Sequence, residues 1–253
     1  MMSYKKQRIA LITGAGRGIG AATAKLFAAQ GFLVVINYKS NHHSAEATAQ
    51  QIQMLGGQCV LMQADVAQEQ QVERLFTQID QLDGHFCVLV NNAGILKPQS
   101  RLIDMNAERI NELFRTNVTS YFLCCREAVK RMSTQLGGQG GAIVNVSSAA
   151  ARTGSANEYI DYAASKGAID TLTKGLSLEV ASEGIRVNCV RPGLIYTQMH
   201  ADGGEENRVE RLKSALPMQR GGQPEEVAEA IFWLASDKAS FSTGNFLDLS
   251  GGL

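Results

Sequence analysis

The chain has 253 residues, with 24 Lys+Arg against 24 Asp+Glu and 45% hydrophobic residues. At roughly 100–200 residues per domain it is long enough to bury a full core without disulfide or metal staples. A net charge of zero excludes the basic surplus of a nucleic-acid binder and the polybasic patch of a membrane-surface protein.

The basic start of the chain runs into a short apolar stretch and then a glycine turn, which is not the pattern of a signal peptide. No apolar run approaches the ~18 residues of a membrane span. Short β-branched runs then alternate with longer helix-like stretches. The pattern predicts strands over 8–12, 32–36, 59–63, 86–90, 142–146, 185–190 and 246–248. Most are continuous apolar runs rather than alternating ones, as expected of strands covered on both faces. The helical stretches are 18–30, stopping at Gly31, and 44–55, opening on Ser44 as a cap and ending at Gly56-Gly57. Others are 69–80, a long one within 107–135, 162–182 and 225–235.

This rhythm predicts an α/β fold: a single doubly wound Rossmann-type domain over 1–253, with a mostly parallel seven-stranded sheet between helices. The glycine-rich stretch 137–141 is a loop, not a linker. Residues 193–215 break the rhythm, carry Gly203-Gly204 and many charges, and follow a strand's carboxyl end. They read as a substrate lid, the alternative being a plain surface insertion. The five cysteines (Cys59, Cys87, Cys124, Cys125, Cys189) form no C-x-x-C pair and read as free, buried, reduced thiols of a cytoplasmic protein.

Strand one runs straight into Thr13-Gly14-Ala15-Gly16-Arg17-Gly18-Ile19-Gly20. Glycines there let the backbone approach a pyrophosphate, and the following helix offers free N–H groups and its positive dipole end. Strand two ends Asn37-Tyr38-Lys39, without the carboxylate that binds the ribose diol of NAD. Arg17 and Lys39 instead suit a 2′-phosphate, which favours NADP(H) over NAD(H). Two charge-assisted bonds at roughly 1.5–3 kcal/mol each would give a hundredfold preference or more.

Further along come Asn91-Asn92-Ala93-Gly94, Ser147-Ser148, Tyr162-Ala163-Ala164-Ser165-Lys166, and late Thr243-Gly244 and Gly251-Gly252. In this order, with the glycine turn, they make the whole chain resemble the short-chain dehydrogenase/reductase family. Within it the chain looks like the 3-oxoacyl-carrier-protein reductase and glucose 1-dehydrogenase type. Tyr162 and Lys166 are four apart and share a helix face. An ammonium about 5 Å from a phenol, at an effective dielectric of ~20, favours phenolate by roughly 3 kcal/mol, or about two pKa units. That expectation brings Tyr162 towards neutral working range as proton donor or acceptor.

The resemblance implies further roles. Ser148 would hold the substrate oxygen, with Ser147 as the fallback. Lys166 would also bond the nicotinamide ribose, and Asn117 would support a water chain to it at a helix irregularity. Asp65 would bond the adenine amino group beside Val66. Asn91, Ala93 and Gly94 would line the adenosine side. Pro192, Gly193, Ile195 and Thr197 would cradle the nicotinamide, while Gly14, Gly18, Ile19 and Gly20 form the phosphate turn. The resemblance also implies a homotetramer acting on a small-molecule carbonyl or alcohol, with no metal, nucleic acid or membrane partner. Tyr159 reads as a pocket or packing residue and Asp161 as a surface charge. A non-catalytic NADP-binding sensor on the same fold is the alternative. A sugar-nucleotide epimerase is disfavoured because the chain ends soon after its last strand.

Overall fold

The predicted runs become β1 (Arg8–Ile12), β2 (Leu33–Tyr38), β3 (Gln58–Gln63), β4 (His85–Asn91), β5 (Gly141–Val146), β6 (Ile185–Pro192) and β7 (Phe246–Leu249). The structure is a computed structural model that describes residues 7–253; the basic start of the chain lies outside the described residues. All strands lie in one sheet, in the order β3-β2-β1-β4-β5-β6-β7, and every neighbouring pair is parallel. The helices are α1 (Gly18–Ala29), α2 (His42–Met54), α3 (Glu69–Asp80), α4 (Ala107–Phe114) and α5 (Ser120–Met132). They continue with α6 (Ala150–Thr153), α7 (Ile160–Glu179), α8 (Met199–Asp202), α9 (Arg208–Leu212) and α10 (Pro224–Ala235).

The continuous apolar strands are explained by two cores, one on each face. Ala10, Ile12, Val34 and Val144 pack with Phe27 of α1, Ile52 of α2 and Ile231 of α10. Ile9, Leu11, Val35 and Ile143 face the other way, against Leu75 and Phe76 of α3 and Ala128 of α5. Successive strand residues thus alternate between cores, and both directions need apolar side chains. Burying each large one contributes about 1.5–3 kcal/mol.

Several boundaries differ from the sequence reading. Asn41, not Ser44, caps α2: its side chain accepts the Ser44 N–H at 3.0 Å. The long stretch 107–135 is two helices joined by a π-helical turn at Arg115–Thr119, which carries the buried Asn117. α7 starts before Tyr162 and gives way after Glu179 to a 3-10 turn that ends at Gly184, with φ +76°. The segment 193–215 folds into α8, α9 and a 3-10 turn at Lys213–Ala215. All five cysteines are free; Cys124, Cys125 and Cys189 are buried, but Cys59 on the edge strand β3 and Cys87 near the start of β4 are only half-buried.

Candidate active site

The sheet order reverses between β1 and β4, where open α/β sheets bind ligands beyond their carboxyl ends. The glycine turn lies there. Gly14 has φ +63°, a conformation that L side chains avoid. A Cβ on Gly20 would lie 2.5 Å from both the Gly14 carbonyl oxygen and Asn92 Nδ2. Asn92 braces the turn, donating from Nδ2 to Thr13 O at 2.9 Å and Gly14 O at 3.2 Å. Thr13 Oγ1 accepts the backbone N–H groups of Asn92 and Ala93 at 2.9 and 3.0 Å. The first turn of α1 has no acidic residue, and Arg17 makes no side-chain cap. Its N–H groups are left for an anion. This glycine cradle and donor set fit a dinucleotide pyrophosphate.

The two cations nominated for a 2′-phosphate each have a carboxylate partner. Arg17 pairs with Asp202 of α8. Lys39 pairs with Asp65 at 3.0 Å, and Asp65 also accepts the Ala67 N–H at 3.0 Å. Asn37 is buried, its amide donating to Met62 O and Ala64 O at 3.3 and 3.1 Å. Asn91 is buried as well, donating to Asn145 Oδ1 at 2.9 Å. Both amides tie strand ends together, which leaves their backbone, not their side chains, for a cofactor.

Beside the turn lies a pocket of about 270 Å³, lined among others by Ile19, Ser148, Tyr162, Lys166, Gly193 and Thr197. Pro192 and Ile195 also border it. Ser148, just past β5, lines the pocket with Tyr162, and its hydroxyl accepts the Ala150 N–H at 3.1 Å. Ser147 is turned inward, its hydroxyl donating to Lys166 O at 3.1 Å. Lys166 is buried, and its Nζ donates to Val146 O at 2.8 Å and to the Tyr121 hydroxyl at 3.3 Å. Asn117 clamps the backbone of Ile95 from both sides: Oδ1 accepts its N–H at 2.8 Å and Nδ2 donates to its carbonyl at 3.0 Å. Gly94 sits between Asn117 and Lys166, and its ideal Cβ position is 3.4 Å from Asn117 Oδ1 and 3.7 Å from Lys166 Nζ.

The electrostatics correct one expectation. Tyr162 keeps part of its surface open to the pocket, yet burial pushes its phenol up to about 12, against the opposing pull of the nearby Ser148 hydroxyl. Burial likewise pushes the Lys166 ammonium down to about 8. Nζ lies 5.7 Å from the Tyr162 ring centroid and spends two hydrogen bonds elsewhere. Desolvation therefore outweighs the ammonium's field at the phenol.

A second correction concerns Asp161. It is buried rather than on the surface, and Arg109 Nε bonds its Oδ2 at 2.7 Å. Its Oδ1 accepts the Tyr162 N–H at 2.9 Å, which anchors the first turn of α7. Tyr159 is buried against the pocket and donates to Gly203 O at 3.2 Å. Arg208, stacked 4.9 Å over the Tyr159 ring, ties α9 to Glu158 and Glu205. Asn92, Tyr121 and Arg208 are site residues that the sequence reading missed. Asn92 stood in plain view within the Asn-Asn-Ala-Gly motif, whereas no local signal marks the other two. Among the described residues, no group of His, Cys, Asp and Glu is arranged to hold a metal, and no helix is long and apolar enough to cross a membrane.

Comparison with known proteins agrees with this fold. A family model described as enoyl-(acyl carrier protein) reductase matches residues 14–253. The chain is 63% identical over 244 residues to the uncharacterized oxidoreductase YgfF of Escherichia coli, covering 96% of this chain and 99% of that protein. It is 38% identical over 254 residues to a 3-oxoacyl-[acyl-carrier-protein] reductase of Synechocystis, covering 100% and 99%. A solved short chain dehydrogenase from Burkholderia cenocepacia, in complex with NADP, superposes with a TM-score of 0.87 at 32% identity. The match covers 98% of this chain and 97% of that one.

Proposed function

Because the chain belongs to the short-chain dehydrogenase/reductase family, we propose that it reduces a carbonyl compound to an alcohol with NADPH, or runs the reverse, with Tyr162 moving the proton. The observation that carries this reading is the meeting of Ser148, Tyr162 and Lys166 on the wall of the pocket beside the glycine turn. The nicotinamide supplies or takes the hydride when bound. Ser148 orients the carbonyl oxygen and Tyr162 gives it a proton. A phenol held near 12 keeps that proton at neutral pH, which suits reduction. Lys166 stays mostly charged below about 8 and places positive charge behind the developing alkoxide. Asn117 fixes the Ile95 backbone beside Lys166.

NADPH is favoured because β2 ends without a carboxylate at the ribose position and two cations stand near the groove. The NADP-bound relative supports the same choice. Exposed Phe122 on α5 and Leu178 on α7 support a homotetramer built on those helices. Five free thiols suit a reducing, cytoplasmic setting. The segment 193–215 borders the pocket through Met199, His200 and Arg208, as a substrate lid would.

Tyr162→Phe tests the mechanism. Turnover of a carbonyl panel with NADPH should fall by about 10²–10⁴-fold, while calorimetric NADPH binding persists. Near-normal turnover would refute the assignment of Tyr162.

A further inference from the structure

We propose that Tyr121 is a positioning residue for this reaction: its hydroxyl holds the Lys166 ammonium in the site and keeps it charged. The proposal rests on the reading of Tyr162 and Lys166 above. Tyr121 lies in the first turn of α5 and is 1% exposed. Its O–H donates to Val146 O at 2.9 Å. With its own proton committed there, the phenol oxygen accepts from Lys166 Nζ at 3.3 Å. Nζ also lies 5.2 Å from the Tyr121 ring centroid, close to its 5.7 Å separation from the Tyr162 ring. One ammonium is thus flanked by two phenols from different helices.

Counting donors shows what the second phenol does. An ammonium has three N–H groups. Val146 O takes one at 2.8 Å and Tyr121 takes another. The third is left for the side of the site where Tyr162 and Gly94 lie. Without the Tyr121 hydroxyl, the described structure would give Nζ only the Val146 carbonyl, and two donors would lose their fixed direction.

The other groups facing Lys166 do not substitute. Asp170, one turn further along α7, favours the charged ammonium through space, but it makes no bond to Nζ and is engaged with Arg191 at 2.9 Å. The Cys189 thiol of β6 is pushed up to about 12 by burial and stays neutral. The Asn117 amide is spent on Ile95 and Ser165. Tyr162 itself holds its proton at neutral pH. A hydrogen bond accepted from the charged form favours that form, and burial alone works against it. A buried hydroxyl at position 121 is costly unless bonded, and here it is bonded on both sides.

The test is Tyr121→Phe, with Tyr121→Met as a second deletion of the hydroxyl. The Lys166 side chain is titrated by NMR on protein carrying labelled lysine, with Lys166→Met assigning the signal. Both variants should lower the ammonium's titration midpoint by about one pH unit, a tenfold loss of proton affinity. The alkaline limb of NADPH-dependent turnover should move to lower pH by the same amount. If both variants fold and the midpoint stays put, Tyr121 only pins α5 to β5 and the proposal is overturned. If the native protein turns over no carbonyl compound, the carbonyl reading fails by itself. The NMR midpoint then still decides whether Tyr121 holds Lys166.

Discussion

Replacing Asp161 by Ala should cost far more than a surface change beside Tyr162. Its side chain is 2% exposed and that of Arg109 is 16% exposed. Arg109 meets it with two bonds, Nε to Oδ2 at 2.7 Å and Nη2 to Oδ1 at 3.5 Å. The pair ties α4 to the first turn of α7, and Asp161 also holds the Tyr162 N–H. An exposed ion pair contributes about 0–1 kcal/mol. Breaking a buried one strands the remaining charge and costs about 3–5 kcal/mol. In a chain of this size that is a fall in Tm of about 6–20 °C. Urea denaturation should show the loss as a lower midpoint at unchanged slope. The double variant Arg109→Met/Asp161→Leu should recover most of the loss, since apolar packing replaces a buried pair at little cost. A loss below about 1 kcal/mol, the size of an exposed pair, would refute the argument. So would a double variant no more stable than Asp161→Ala.

Two further outcomes concern the segment 193–215. Asp202→Asn releases Arg17, so NADPH affinity should rise by about two- to fivefold while NADH affinity holds. Calorimetric titration with each nucleotide checks this, and an equal gain for both would show that Arg17 does not read the 2′-phosphate. Glu205 is held down at about 2 by hydrogen bonds from Arg211, Arg208 and Gln99. A depressed carboxylate contributes its stabilisation fully above its ordinary value of 4.5 and loses it as pH falls through about 2. Amide hydrogen exchange within 199–212, corrected for its intrinsic pH dependence, should therefore be slower near pH 4 than near pH 2, and Glu205→Gln should remove most of that difference.

The architecture was legible because its causes are local. Ala10 and Leu11 look alike in sequence since each faces a different apolar core, and only a sheet covered on both sides requires that. The glycine turn was legible because Gly14 needs a positive φ and Gly20 a bare α-carbon. Partner identity was not legible. Asp161 reads as a surface charge until Arg109, 52 residues earlier, folds against it. Charge alone marks Arg17 and Lys39 as a phosphate site, whereas their carboxylate partners Asp202 and Asp65 lie too far off in sequence to be read beside them. The helix irregularity at Asn117 came from resemblance: periodicity runs one helix through 107–135, whereas the structure inserts a π turn.

The Tyr162–Lys166 pair shows where such reasoning stops for a physical cause. Spacing of four places both side chains on one face, and Coulomb's law at about 5 Å then predicts a phenol lowered by about two units. Burial raises the phenol from 10.0 to about 12, an effect of the same size and opposite sign. The balance is set by where Nζ points, since its attraction to the phenolate weakens with distance and with the hydrogen bonds it makes elsewhere. Here Nζ is turned to Val146 O and the Tyr121 hydroxyl, and the phenol keeps its proton. On the proposed role of Tyr162, turning Nζ towards the phenol would lower its titration, and the bonds to Val146 O and Tyr121 oppose that turn. The groups that aim one lysine amine, distant in sequence and silent in any motif, set a balance that spacing by itself does not contain.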